Sequence, residues 1–210
     1  MNQLNQDYLV AAEAVPRETL DRTRTREDES PRVCVLAYLI PPHYGGAGRQ
    51  ATRYAAYLAS LGEPVELLTC IPNPEPVPGV EITRFPMPDW YDLKGGSGIV
   101  SALRRRLYNP IIVRRLRQYF LDKKIQVVHC VAAKWFSLLA VEAARQAGVP
   151  SILETSLLGK DDAEAVGQRT FGRLQLTLFK RADVVVNTSP SLEAACLRAG
   201  VEKDRCELIV

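Results

Sequence analysis

The sequence lacks the features that mark a membrane-spanning, secreted or nucleic-acid-binding protein. No stretch approaches the run of about eighteen apolar residues that spans a bilayer, and the polar start MNQLNQDYLV lacks the basic-then-apolar pattern of a secretion signal. The 27 Lys and Arg residues exceed the 24 Asp and Glu residues by too little, a net charge of +3, to indicate nucleic acid. We therefore predict a cytoplasmic protein that does not bind nucleic acid.

Cysteine and histidine are also scarce, and their spacing does not indicate a metal site. The five cysteines form no CxxC pair and have no metal-type spacing to the two histidines. They lie mostly within apolar, strand-like runs, so we predict buried free thiols. No metal and no cofactor are predicted. The cysteines are Cys34, Cys70, Cys130, Cys196 and Cys206.

The chain divides by composition into a tail and one domain. Residues 1–31 include RETLDRTRTREDESP, which alternates charges with almost no apolar residue, and predict a disordered charged tail. Residues 32–210 alternate short β-rich runs, such as VELLTC, SILET and VVVNT, with helical stretches of ten or more residues. This alternation predicts an α/β domain with a Rossmann-like, doubly wound parallel sheet of six or seven strands, in which helices cover both faces.

The stretch IPPHYGGAGRQATRYA, residues 40–55, places three glycines between the first strand and a helix. Ligands of open parallel sheets bind beyond the carboxyl ends of the strands. Gly45, Gly46 and Gly48 can adopt positive φ and admit an anion to the unpaired N–H groups of the helix, with Arg49 nearby. A tight turn that binds nothing is the alternative. The spacing is not GxGxxG and no acidic residue ends the second strand, which weakens a nicotinamide-binding hypothesis.

Three other polar residues follow strands in this interpretation. His129, placed after the fourth strand, is a candidate for hydrogen bonding a sugar hydroxyl or moving a proton, or for a structural bond to a carbonyl. Glu154 and Ser156 follow the fifth strand. Glu154 is a candidate for accepting hydrogen bonds from hydroxyls, with helix capping or ion pairing as the alternative.

The stretch LRRRLYNPIIVRRLRQYF carries six arginines beside apolar and aromatic residues. Such a basic amphipathic helix can rest on anionic lipid, so peripheral membrane contact is one prediction. A solvated helix face is the default interpretation.

Three segments together resemble the family-four retaining glycosyltransferases: PPHYGGAGRQATRYAAYLASLGEPVELLTC, VVHCVAAKWFSLLAVEAARQAGVPSILETSLLGKDD and RADVVVNTSPSLEAACLRAGVEKDRCELIV. The resemblance implies one half of a GT-B architecture, the N-terminal, acceptor-side domain. It implies a nucleotide-sugar donor and a hydroxyl acceptor as partners, and a donor-binding domain in cis or in trans. By the same resemblance Gly45, Gly46, Gly48, Arg49, Glu154 and Ser156 bind donor phosphate or acceptor, and His129 is the catalytic candidate.

Two departures from that family bear on activity. The second candidate slot for the family's histidine, two residues after His129, holds Val131. No two glutamates are eight positions apart, so the family's glutamate pair is absent from this sequence. We therefore expect a fragment or one half of a split enzyme, inactive alone. A non-catalytic binding or scaffolding domain is the second hypothesis, and a nucleotide-dependent oxidoreductase or epimerase is the third.

Overall fold

The computed structural model describes residues 30–43, 45–88 and 99–209, with side chains from residue 106 onward in the last range. The predicted tail of residues 1–31 lies outside the described residues except for Ser30 and Pro31. The chain from Pro31 onward forms one compact unit.

The strands of this unit follow the order that the sequence predicts. Within the described residues they are β1 (Val33–Leu36), β2 (Val65–Thr69), β3 (Glu81–Arg84), β4 (Val127–Val131), β5 (Ser151–Thr155), β6 (Val184–Asn187) and β7 (Cys206–Leu208). They form one parallel sheet in the order β3-β2-β1-β4-β5-β6-β7. Strand order therefore reverses between β1 and β4, where a crevice is expected in such sheets. The prediction of a Rossmann-like parallel sheet is confirmed.

The described helices connect these strands. They are α1 (Gly46–Ser60), α2 (Ile99–Asp122), α3 (Trp135–Ala147), α4 (Ala163–Gly167), α5 (Gly172–Phe179) and α6 (Pro190–Arg198). A short 3-10 helix, Lys203–Arg205, precedes β7. Helix α3 ends at Gly148, whose φ of 71° provides the left-handed cap that glycine adopts without strain.

The two faces of the sheet carry different cores. On one face α1 packs the small residues Ala51 and Ala55 against Val35 and Leu67 of the central strands. On the other face a larger core joins residues of β1, β2, β4, β5 and β6 to α2, α3, α5 and α6. Helix α3 lies deepest, since nine of its residues are buried.

The expectation that helices cover both faces of every strand is wrong for β6. Val185 is fully buried, whereas its neighbours Val184 and Val186 are only half-buried. On the face of the sheet that carries the smaller core, the described helix is α1, and its main strand contacts are with β1, β2 and β4 instead of β6. The three valines of this strand, residues 184–186, are therefore all apolar although only one face of the strand is packed by a described helix.

Candidate functional site

Helix α1 begins beyond the carboxyl end of β1 with main-chain donors available. Its N-cap, Gly45, has φ 175° and gives no side-chain hydrogen bond to the first turn. The first intrahelical bond runs from the N–H of Arg49 to the carbonyl of Gly45, at 3.2 Å. The N–H groups of residues 46–48 precede that bond, and such groups attract anions and hydroxyl oxygens.

The three glycines of this loop have different surroundings. A Cβ atom placed on Gly45 or Gly46 would meet no atom within 4 Å, so the space in front of these residues is open. A Cβ atom on Gly48 would lie 2.2 Å from the carbonyl oxygen of Leu39. None of the three has a φ in the left-handed region, between about +20° and +160°, so the expected use of positive φ is wrong. Gly48 is required for packing of α1 on the loop before it, whereas Gly45 and Gly46 leave the helix start accessible. Arg49 is exposed in the same turn.

His129 lies inside β4 rather than after it. It pairs with Val35 of β1 and Ile152 of β5 and points to the α1 side of the sheet. The ring of Tyr54 from α1 stacks on the imidazole with 5.3 Å between ring centroids. Our placement of His129 beyond the strand is therefore wrong, because the ladder continues to Val131.

Glu154 of β5 joins His129 in a small buried cluster. Its Oε2 atom lies 3.2 Å from His129 Nε2, and the Glu154 residue is 1% exposed. His129 Nε2 and Glu154 Oε2 are close but do not have hydrogen-bond geometry, so Nε2 has no hydrogen-bond partner. The other carboxylate oxygen, Glu154 Oε1, is also buried without a hydrogen-bond partner. A carboxylate with an unsatisfied oxygen is uncommon in a folded protein and marks a place where a water or ligand hydroxyl would bind favourably.

Helix α1 connects this cluster to the glycine loop. Gln50 donates its side-chain N–H to the hydroxyl oxygen of Tyr54 at 2.6 Å. Burial raises the pKa of Tyr54, the hydrogen bond from Gln50 lowers it, and the nearby Glu154 raises it further. We call Gln50, Tyr54, His129 and Glu154 the polar cluster. Its members form a continuous polar path from the first turns of α1 to the middle of the sheet.

Ser156 has a structural partner in the loop after β5. Its hydroxyl donates to Asp161 Oδ2 at 3.2 Å, and its N–H donates to Asp161 Oδ1 at the same distance. The buried carboxylate of Asp161 also accepts from the N–H of Leu157 at 2.7 Å. Ser156 therefore orders its own loop, and these bonds do not bring it to the polar cluster.

The arginine-rich stretch lies within α2, and the apolar side of this helix packs against the larger core of the domain. Ile112, Leu116 and Phe120 are buried in the larger core. Arg117 donates to the carbonyl of Gln146 at 3.1 Å, and the Arg115 guanidinium lies 5.5 Å from the Phe85 ring centroid. The side chains of Arg104 and Arg105 lie outside the described residues. Helix α2 is thus a core helix with a basic outer side.

The arrangement can bind polar ligands through main-chain N–H groups and buried oxygen and nitrogen atoms. In the described ranges, no three His, Cys, Asp or Glu side chains are grouped so as to hold a metal ion. The five cysteines are free and buried, as predicted, and burial raises the pKa of Cys196 to about 12. None of the helices that the structure describes is both long and apolar enough to cross a membrane.

The sequence of this chain matches a known family. The family described as "Glycosyl transferase 4-like domain" matches residues 45–210, from the first glycine of the loop to the last residue. The chain belongs to this family. No curated protein matches the chain significantly. The glycosyltransferase resemblance inferred from the loop and the strand ends is thereby confirmed at the level of the domain.

Solved structures similar to this glycosyltransferase-like domain show the same fold. A glycosyltransferase from Rickettsia africae matches with a TM-score of 0.53 at 9% identity, covering 87% of this chain and 43% of that one. The UDP-N-acetylglucosamine 2-epimerase of Rickettsia bellii gives 0.53 at 9% identity, covering 85% and 44%. UGT2 of Phytolacca americana, complexed with UDP-2fluoro-glucose and pterostilbene, gives 0.52 at 14% identity, covering 88% and 54%. The chain therefore spans about half the length of these structures.

Proposed function

We propose that residues 32–210 form the acceptor-side domain of a glycosyltransferase. A donor-binding domain, in the same chain or in a second one, completes the active site. The family match that starts at the glycine loop carries this proposal. This chain spans about half the length of the matched structures, which supports the idea that the complete enzyme has a second domain.

The reaction we propose moves a sugar from a nucleotide-sugar donor to a hydroxyl acceptor with retained anomeric configuration. Gly45 and Gly46 admit the donor phosphate or an acceptor oxygen to the start of α1, because a Cβ atom on either residue would meet no atom of the described residues within 4 Å. Arg49, exposed in the first turn, adds a positive charge. In this proposal the loop stabilises only part of the charge that develops on the diphosphate, so the domain alone transfers poorly.

His129 and Glu154 have a more restricted role in this proposal. The Tyr54 ring stacks on the imidazole and His129 Nε2 is buried, so contact between that nitrogen and a sugar requires the surrounding side chains to move. In its observed place the His129–Glu154 pair supports α1, which carries the glycine loop at its start. A hydroxyl or water that reaches Glu154 Oε1 would satisfy the buried oxygen.

A non-catalytic binding domain is the second candidate function. Val131, at the slot two residues after His129, is 2% exposed and belongs to the apolar core under α1. That position therefore has no ionisable side chain. A shift of the strand by one residue would not bring His129 there, because neighbouring side chains of a strand point to opposite faces of the sheet.

Product analysis with a panel of UDP-, GDP- and ADP-sugars tests the proposal. We expect nucleoside diphosphate release and a glycosylated acceptor when the donor-binding domain is present, and release no faster than the protein-free control for residues 1–210 alone. Nuclear magnetic resonance of the product should show the donor's anomeric configuration. Turnover by residues 1–210 alone at about 1 per second or faster would show that the site is already complete. Donor-sugar isomerisation without transfer would identify an epimerase instead.

A further inference from the structure

A second concave region lies on the opposite side of the sheet from α1. It is a cavity of about 690 Å³ bordered by α2, the start of α3 and the segment that joins α4 to α5. This volume falls in the range that small-molecule sites occupy, roughly 300–1,000 Å³. The glycine loop and the polar cluster contribute no residue to it.

The walls of this cavity are positively charged. Among the described residues, four cationic side chains and no acidic side chain line it. They come from four separate segments of the chain, so the fold and not a local run of basic residues brings them together. We call them the cationic pocket residues: Arg106, Lys134, Lys160 and Arg169.

Arg169 and Lys134 are half-buried, whereas Arg106 and Lys160 are exposed. The Arg169 guanidinium donates to three uncharged acceptors: the carbonyls of Ala133 (3.1 Å) and Lys160, and the side-chain oxygen of Gln175 (3.5 Å). Burial lowers the pKa of Arg169, and the charges of Asp161 and Asp162 oppose that effect. A guanidinium held by neutral groups retains charge that an anionic ligand can use.

The two carboxylates near Arg169 are engaged in ordering the loop. Asp161 is fully buried and accepts from the N–H groups of Ser156 and Leu157. Asp162 is 2% exposed and accepts from the N–H groups of Gly159 and Ala165. Hydrogen bonds from neutral N–H groups leave both carboxylates charged, but the four cations of the described lining outnumber them, so the cavity keeps an excess of positive charge.

Apolar and aromatic side chains complete the same cavity. Phe171 and Leu174 are 37% and 38% exposed at its wall. The Arg106 guanidinium lies 5.7 Å from the Phe171 ring centroid. The Trp135 indole N–H donates to Asn109 Oδ1 at 3.0 Å, which fixes the ring. Leu157 and Leu158 add exposed apolar surface in the turn that leads to Lys160.

Phe171 is held in a backbone conformation that its residue type disfavours. Its φ is 59°, in the left-handed region where bulky side chains are uncommon. Gly172 follows it, and a Cβ atom there would lie 1.8 Å from the carbonyl oxygen of Gly167. The close turn between Gly167 and Gly172 therefore holds Phe171 in the left-handed conformation, with its side chain at the cavity wall. Strained residues of this kind concentrate at ligand sites.

We propose that this cavity binds the phosphate of an acceptor that also carries an apolar portion. The cationic pocket residues bind the phosphate, and Trp135, Phe171 and Leu174 contact the apolar portion. The role of this ligand as a sugar acceptor rests on the proposed function, whereas the binding of a phosphorylated apolar molecule does not. The phosphate can belong to a free molecule or to a lipid headgroup, and the experiment distinguishes these sources.

Calorimetric titration with hexyl phosphate, hexanol and inorganic phosphate tests the proposal. We expect hexyl phosphate to bind at least about tenfold more tightly than either partial probe, because a charged hydrogen bond and apolar burial both contribute. Arg106→Gln and Lys134→Gln should each weaken hexyl phosphate binding about tenfold. Arg114→Gln, on the exposed side of the same helix and outside the cavity, is the matched control and should leave binding unchanged.

Fluorescence locates the bound molecule. The chain has two tryptophans, so Trp90→Phe leaves Trp135 as the only indole, and its emission should change with the calorimetric midpoint. Equal affinity for hexanol, an equal loss in Arg114→Gln, or heat without a Trp135 change would each overturn the proposal. Circular dichroism should show that the variants remain folded.

Vesicle sedimentation separates the two sources of phosphate. Phosphatidylcholine vesicles with phosphatidic acid should sediment the protein in an Arg106-dependent and Lys134-dependent manner if the phosphate is a lipid headgroup, and should not if it is free. Either result supports the pocket, provided that hexyl phosphate binds. No sugar donor is used in these measurements. Failure of sugar transfer with intact hexyl phosphate binding would therefore refute the proposed function but not the proposed pocket. Sugar transfer without hexyl phosphate binding would refute the pocket but not the proposed function.

Discussion

The starts of α1 and α3 both lie beyond the carboxyl ends of central strands, yet their chemistry differs. At α1 the sequence provides small residues, and Gly45 and Gly46 face open space. At α3 it provides Lys134 and Trp135, which line a cavity with three further cations. The first region can bind a ligand through main-chain N–H groups, which demands close approach. The second can bind through long charged side chains and aromatic faces. One edge of a parallel sheet therefore provides two different kinds of anion-binding surface.

The largest expected effect distinguishes the two uses of glycine within the α1 region. Gly48→Ala should lower the free energy of unfolding by about 3 kcal/mol or more, because its Cβ would lie 2.2 Å from the Leu39 carbonyl oxygen. Gly46→Ala is the matched control and should stay within about 0.5 kcal/mol of the parent, since its Cβ meets no atom within 4 Å. Denaturant titration measures both. Equal destabilisation by Gly46→Ala and Gly48→Ala would mean that both glycines are closely packed and that the loop has no open space at Gly46.

A second prediction concerns the charged contacts that fix α3. Glu142 accepts bonds from Arg145, Gln146 and Arg181. Burial alone would raise the pKa of Glu142, but these bonds outweigh it and lower the value to about 2 from an ordinary 4.5. Glu142→Gln should therefore cost on the order of 2 kcal/mol at neutral pH, measured by denaturant titration.

The pH dependence of this contribution has a defined sign. The pKa of Glu142 is lower in the folded state than in the unfolded state, so its stabilisation is complete above about pH 4.5 and is lost as the pH falls towards about 2. The difference between parent and Glu142→Gln should shrink over that range. Glu164→Gln, which breaks the exposed pair with Arg198, is the control. A difference that persists at low pH would show that packing, not charge, explains the Glu142 effect.

The smallest expected effect examines the polar cluster beneath the glycine loop. Tyr54→Phe removes the hydroxyl that accepts from Gln50 at 2.6 Å and should cost about 1 kcal/mol. Tyr57→Phe, about one turn later in the same helix and 62% exposed, is the control and should leave the melting temperature unchanged. Thermal unfolding of the two variants checks this. Identical melting temperatures would mean that the Gln50–Tyr54 bond contributes nothing to the placement of α1.

The sequence predicts the elements of this fold better than their ends. Helix α3 and strand β5 have the bounds expected from Gly148, Pro150 and the run SILET. The apolar run VCVLAYLI predicts a first strand that continues to Ile40, but the strand ends at Leu36. Ala37 and Ile40 are buried in the loop that follows, and an apolar residue in a buried loop has the same pattern as one in a strand.

Other differences arise from contacts between distant residues. The sequence between SILET and Arg181 predicts one helix. The structure has two, α4 and α5, because the chain turns where Gly172 packs closely on the Gly167 carbonyl. His129 was placed after its strand, since the sequence does not show how far β4 stays paired with β1. Of the cationic pocket residues, Arg106 lay in the conspicuous arginine stretch, whereas Lys160 and Arg169 are isolated in sequence. Only the fold brings these four side chains together.

The rate of sugar transfer by Gly46→Leu, in the complete enzyme with its donor-binding domain, tests the central claim most directly. We predict at least a tenfold loss of transfer (about 1.4 kcal/mol) with an unchanged melting temperature, because the leucine side chain would occupy the space before the α1 donors, where a Cβ atom meets no atom within 4 Å. Transfer at the parent rate in a folded Gly46→Leu variant would contradict it.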